Sequence, residues 1–310
     1  MSFRSTMNPR YLGIGAMVAS AALGVSFGGA STAYAAPNTP STPTAAVANN
    51  TLTITGTSGR DEITLVGSND EPNALDVDLG NGTRQRFDRT TFTAIFVSLG
   101  DGDDAFTEPT GVFADEALIV DAGRGDDTVF AGDGNDLIFG GSGDDFVDGG
   151  KGRDTAFLEG GHDTFQWDAG EGSDVIDGGS STDALLFNGA SGAETMSLSA
   201  NGDRSVFLRD PGTVRMDMND VEQLDLNPLG GADTITINDL QGTGFRDANI
   251  DLGVAGTGDG AADVVTVNGD HPGHVNVEGD GSQADVRGLK PETHITGIEP
   301  AIDQVLVNTP

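Results

Sequence analysis

Residues 122 to 157 divide without remainder into four nonapeptides, AGRGDDTVF, AGDGNDLIF, GGSGDDFVD and GGKGRDTAF. Each has glycine at its second and fourth positions, aspartate at its sixth and an apolar residue at its eighth. A fixed short period marks a repeat architecture, in which each unit buries its apolar residue by stacking on its neighbours. The register continues in weaker form through LEGGHDTFQ at 158 to 166, crosses a two-residue insertion at Trp167-Asp168, and resumes as AGEGSDVID and GGSSTDALL up to Leu186. The same grammar recurs sparsely at 56 to 64, 99 to 107, 229 to 236 and 258 to 266. Between these lie short alternating runs such as TLTITG, ALDVDLG and VEQLDLN, separated by Gly, Asp and Asn turns, with no amphipathic helical period. The pattern is all-β.

The residue types imply a chemistry. Glycine at the second and fourth positions lets the backbone take positive φ and aim carbonyl oxygens inward where a Cβ would clash. The sixth-position aspartate adds a carboxylate. Ca2+ takes six to eight oxygens in flexible geometry, more than one short turn offers, so a site shared between stacked turns is the natural arrangement.

These units resemble the RTX, or hemolysin-type, calcium-binding repeats, glycine-rich nonapeptides with the pattern G-G-x-G-x-D-x-U-x in which U is a large apolar residue. The resemblance implies a parallel β-roll: six residues form a metal-binding turn, three form a strand, and two units complete a coil, so that alternate units stack. Asp127, Asp145, Asp163 and Asp183 would then form one ladder and Asp136, Asp154 and Asp174 the other. The implied ligands are these carboxylates with backbone carbonyls near Gly123, Gly125, Gly132, Gly134, Gly141, Gly143, Gly150 and Gly152. Weaker sites are expected at Asp61, Asp104, Asp233 and Asp263 in the flanks. Glu159 and Ser181 depart from the glycine pattern, and the Trp167-Asp168 insertion is expected to break the register between Asp154 and Asp174. Several Ca2+ ions are the expected cofactors.

Composition supports a cation partner. The formal net charge is −34, with 49 acidic residues against 15 basic ones. This excludes a protein that tracks nucleic-acid phosphates and leaves a compact state that repels itself unless cations neutralise it. No cysteine is present to staple a small core. Residues 1 to 35 read as a signal peptide, with Arg4 and Arg10 before an apolar stretch and Ala33-Tyr34-Ala35 as a cleavage site. The expected product is extracellular, or periplasmic if the producer has two membranes, with no membrane span after cleavage. The remainder divides into a flexible Pro- and Thr-rich leader at 36 to 50, a degenerate β-solenoid at 51 to 121, the β-roll at 122 to 187 and a second degenerate solenoid at 188 to 310.

Catalytic signatures are absent. There is no H-E-x-x-H, the glycine-rich stretch around Ser142 lacks the last glycine of a nucleophile elbow, and His271 and His274 sit in an HPGH turn. Both tyrosines, Tyr11 and Tyr34, fall in the signal segment, leaving one tryptophan and only Lys151 and Lys290 as lysines. That is poor material for a polysaccharide lyase or epimerase, the alternative enzyme class. The sequence reads as a non-catalytic calcium-binding solenoid, with a calcium-dependent adhesin that meets a cell-surface or extracellular macromolecule as the other alternative.

Overall fold

The computed structural model describes residues 40–67, 71–111, 117–254, 257–269 and 276–309. The signal segment and the His271–His274 turn lie outside these residues. Among the described residues there is no α-helix; the chain forms a parallel β-solenoid with two walls, each a sheet of 13 strands. One apolar layer fills the space between the walls.

The coil length follows directly from the repeat. In the first wall Leu137–Ser142 lies parallel to Leu118–Arg124 and Thr155–Gly160, with Leu137 opposite Ile119 and Thr155. In the second wall Phe146–Asp148 lies between Thr128–Phe130 and Thr164–Trp167, with Phe146 opposite Thr128 and Thr164. Alternate nonapeptides therefore stack. Strand side chains alternate in direction, so the eighth-position residues Val129, Ile138, Val147, Ala156, Phe165, Ile176 and Leu185 all point inward and are at most 1 % exposed. At Ala122, Ala131 and Leu158 the first position also faces the core and is fully buried, whereas Ala169, just after the insertion, is exposed.

The insertion does not break the ladder. Stacked partners simply shift to Thr155 opposite Val175 and Thr164 opposite Ala184. Trp167 extends its strand by one residue into the core, where its ring stacks on Phe187 at 4.1 Å, and Asp168 starts the turn by taking its N–H to Glu171 Oε2 at 2.6 Å. One extra residue in the strand and one in the turn leave Asp174 in register.

The leader also differs from expectation. Thr44–Ala48 is a strand, paired antiparallel with Thr51–Thr55 through an Asn49-Asn50 turn whose φ values are 51° and 61°. Consecutive positive φ at two asparagines is the two-residue hairpin turn that matches strand twist. The strand covers the N-terminal end of the first wall, with Ala45 and Val47 packed against the core. Antiparallel pairs cap the second wall as well: Ala74–Asp78 with Arg84–Asp88 at one end, and Asn276–Gly279 with Ala284–Arg287 at the other. Such caps replace exposed parallel edges.

Past residue 188 the solenoid continues with one irregular coil. Thr195–Asn201, Arg204–Asp210 and Val214–Asn219 form an antiparallel meander in the first wall, and parallel stacking resumes at Thr234–Ile237 and Val264–Asn268. The second wall runs past it without a break, from Ala184–Asn188 to Gln223–Asn227 to Asp247–Asp251.

Candidate metal centre

At each coil corner the sixth-position aspartate sits just before its strand, and its carboxylate hangs from the coil above to the coil below. Asp127 N–H donates to Asp145 Oδ1 at 2.9 Å, Asp145 N–H to Asp163 Oδ1 at 2.8 Å and Asp163 N–H to Asp183 Oδ1 at 2.9 Å. On the opposite corner Asp136 N–H reaches Asp154 Oδ1 and Asp154 N–H reaches Asp174 Oδ1, both at 2.8 Å. The two ladders are continuous columns of carboxylates.

The flanking aspartates divide between two columns. Asp61 and Asp104 extend the first ladder, since Asp61 N–H donates to Asp104 Oδ1 and Asp104 N–H to Asp127 Oδ1. That ladder closes at Glu222, whose Oε2 accepts from Asp183 N–H at 3.0 Å. Asp233 and Asp263 belong to a third run, in which Glu194 N–H donates to Asp233 Oδ1, Asp233 N–H to Asp263 Oδ1 and Asp263 N–H to Asp303 Oδ1. A search restricted to aspartate passes over Glu194 and Glu222. The stretch GASGAET keeps glycine at positions one and four with an acid at six, which is the signal that could have found Glu194.

Oδ1 of each rung accepts a hydrogen bond, but at seven of the rungs Oδ2 has none. The Oδ2 atoms of Asp104, Asp127, Asp136, Asp145, Asp154, Asp163 and Asp183 are buried and accept no hydrogen bond. Buried polar atoms are normally partnered, and seven unpartnered carboxylate oxygens in register require a cation or a proton. The carboxyls show that demand. Burial pushes Asp104 and Asp163 up to about 6, Asp127, Asp145, Asp174 and Asp183 to about 7, Asp136 to about 8 and Asp154 to about 9, with the backbone N–H bond to each rung offsetting only part of it.

The turn glycines bring further oxygens to the same gap. Gly123, Gly125, Gly132, Gly134, Gly141, Gly143, Gly150 and Gly152 all have positive φ, between 76° and 147°. A Cβ on Gly141 would lie 2.0 Å from Gly123 O, one on Gly143 2.1 Å from Gly125 O, and one on Gly150 1.9 Å from Gly132 O. Glycyl carbonyls thus point into the space between coils, and only glycine lets the next coil approach. Carbonyl and carboxylate oxygens in a buried anionic gap fit a hard divalent cation such as Ca2+. The residues that would hold it are the sixth-position aspartates and the glycyl carbonyls of consecutive stacked units.

An outer ladder runs the other way. Asp126 N–H donates to Asp103 Oδ1, Asp144 N–H to Asp126 Oδ1 and His162 N–H to Asp144 Oδ1, so fifth-position side chains tie each coil to the one before it. The fifth position reads as variable from sequence, yet Asp103, Asp126, Asn135 and Asp144 all accept from the next coil. Separate from the ladders, Asp148, Asp168 and Glu171 converge within 4.8 Å beside the insertion. Burial and the neighbouring carboxylates raise Asp148 to about 6 and Glu171 to about 8.

Residues 121–156 and 168–193 match the RTX calcium-binding nonapeptide repeat family in four copies. The central block is an RTX repeat. The segment skipped by the match contains the fifth unit, where Glu159 takes the glycine position at φ 73°. RTX units generally bind Ca2+, and the buried oxygen columns of this block are the groups through which they would do so. No curated protein matches the chain. Among solved structures, the extracellular lipase LipA from Serratia marcescens is similar at 10 % identity and a TM-score of 0.26, covering 72 % of this chain and 45 % of its own. The chain therefore spans less than half of that lipase's length.

Proposed function

We propose that this protein is an exported, non-catalytic calcium-binding rod whose RTX coils close when Ca2+ enters the gaps between them, presenting a rigid surface to an extracellular partner. The single observation that supports this most is the row of seven buried aspartate oxygens without a donor. In the ionised state these charges face one another across adjacent coils, and the core behind them is one side chain thick. Such a layer buries little apolar area per residue against a backbone entropy of roughly 1–2 kcal/mol per residue, so metal ligation supplies much of the fold. The signal segment read from the sequence supports export to a medium where calcium is plentiful, and sites of extracellular modules commonly bind at ~10⁻⁴ to 10⁻³ M.

The test is circular dichroism of the signal-free chain during calcium titration, with magnesium as the control. Gain of β signal with calcium and little with magnesium is the expected result. No calcium-dependent gain at millimolar ion would overturn the reading. Incubation with acidic polysaccharides, with and without calcium, separates the roles: retention without unsaturated products supports a binding surface, and release of such products would identify a lyase.

A further inference from the structure

The unpartnered oxygens stop abruptly. Among the described residues they run from Asp104 to Asp183 and no rung outside that span has one. The backbone of the second position separates these seven rungs from three others. At Asp104, Asp127, Asp136, Asp145, Asp154 and Asp183 the second position is a glycine at positive φ, namely Gly100, Gly123, Gly132, Gly141, Gly150 and Gly179, and at Asp163 it is Glu159, also at positive φ. At three other rungs this residue is not at positive φ and its N–H turns inward to the second oxygen. Thr57 N–H donates to Asp61 Oδ2 at 2.5 Å, Ala190 N–H to Glu194 Oε2 at 3.0 Å and Glu299 N–H to Asp303 Oδ2 at 2.7 Å.

The Glu194 rung goes further. Its Oε2 occupies the place of the repeat Oδ2 atoms: a Cβ on Gly189 would meet it at 2.3 Å, as one on Gly149 would meet Asp154 Oδ2 at 2.6 Å and one on Gly178 Asp183 Oδ2 at 2.7 Å. Its Oε1 receives Arg209 Nε at 2.6 Å, and Nη2 also closes on it. Arg209 stands on the irregular meander, between Met196 and Val214 in register, with its side chain directed into the core. Nη1 donates to Pro211 O at 2.8 Å, and the guanidinium lies 5.3 Å from the centre of the Trp167 ring. A guanidinium cannot be deprotonated in a protein and its fork matches a carboxylate, so this charge is permanent.

We propose that Arg209 is a built-in cation that neutralises the Glu194 carboxylate through Oε1 while Ala190 N–H holds Oε2, so that the meander from Thr195 to Asn219 holds its fold without metal while the coils from Asp104 to Asp183 do not. The inference rests on the calcium reading of the RTX block. It makes the meander a fixed platform on which the metal-dependent coils stack.

Hydrogen exchange of the signal-free chain, with calcium and after its removal, tests it. Amides of Thr195–Asn201 and Arg204–Asp210 are expected to keep their protection in the decalcified chain while those of residues 122 to 187 lose theirs. Exposure of both regions together on calcium removal would overturn the inference. If residues 122 to 187 do not respond to calcium at all, the calcium reading itself fails, which is a separate result. In Arg209→Met the meander is expected to become calcium-dependent, its decalcified protection falling roughly a hundredfold or more, because a buried carboxylate is left without its cation. Unchanged metal-independent protection in that variant refutes the role. If Arg209→Met lacks protection in both conditions, Arg209→Lys decides: protection that survives calcium removal supports the charge role, and its loss overturns it.

Discussion

Asp145→Asn reverses the sign of its effect when calcium is removed. The side chain is 3 % exposed, its Oδ1 accepts from Asp127 N–H at 2.9 Å, and its Oδ2 has no donor. An amide of nearly the same shape keeps the Oδ1 bond, loses the charge and puts an NH2 where Oδ2 stood. Without metal at pH 8, holding this carboxylate ionised costs the folded chain at most about 4 kcal/mol, the gap between a folded pKa of about 7 and the usual 3.8 at about 1.4 kcal/mol per pH unit. The substitution relieves much of that, so the decalcified variant is expected to be more stable than the parent by about 2–4 kcal/mol. With calcium the order inverts, because Asp145 lies between Asp127 and Asp163 and its loss removes an anionic ligand from the gaps on both sides. The assay is urea denaturation followed by far-ultraviolet circular dichroism, with an osmolyte titration if the decalcified chain has no transition. A variant less stable than the parent by the same amount in both conditions would refute the reasoning, since Oδ2 would then be neither an uncompensated charge nor a ligand.

Gly141→Ala is expected to be disruptive in saturating calcium, costing about 1–3 kcal/mol for an alanine at φ 108° before the contact of 2.0 Å with Gly123 O is counted; a thermal midpoint equal to that of the parent would refute the close coil stacking. Glu159→Gly removes a non-glycine residue from φ 73° and is expected to raise stability in saturating calcium by about 1 kcal/mol, measured as a shift in urea midpoint. The decalcified block is expected to gain structure as pH falls. Folded carboxyls at Asp136 and Asp154 titrate at about 8 and about 9, above their unfolded value, so the native state holds more protons across roughly pH 4 to 9 and its stability is lost as pH rises through those values. Circular dichroism in calcium-free buffer from pH 9 to pH 5 checks this, and a loss of β signal on acidification would contradict it.

How much of this is legible in the sequence depends on what enforces each feature. The stacking of Asp127 over Asp145 and of Asp136 over Asp154 follows from a period with no remainder, because shifting a coil by one residue would turn Val129 and Ile138 outward. The harmless insertion at Trp167 was not legible, since whether two added residues break a ladder depends on where they go, and one of them found a core position against Phe187. Glu194 and Glu222 were hidden by their side-chain length, although each occupies an aspartate's place. The Thr44–Ala48 strand was hidden by its composition: TAAVA has little apolar weight, and its Asn49-Asn50 turn carries the information instead. The outer ladder at Asp103, Asp126 and Asp144 uses only one acceptor oxygen per residue, which Asn135 provides equally well, so the position looks unconstrained.

The inner ladder has a direction. Each buried aspartate N–H donates to the carboxylate of the following coil, never the preceding one, from Asp61 through to Glu222. A chain delivered N-terminus first, from a ribosome or through a pore, therefore always arrives with its newest coil holding an open donor, and that donor closes only when the next turn of chain emerges behind it. The column can advance no faster than the thread is paid out.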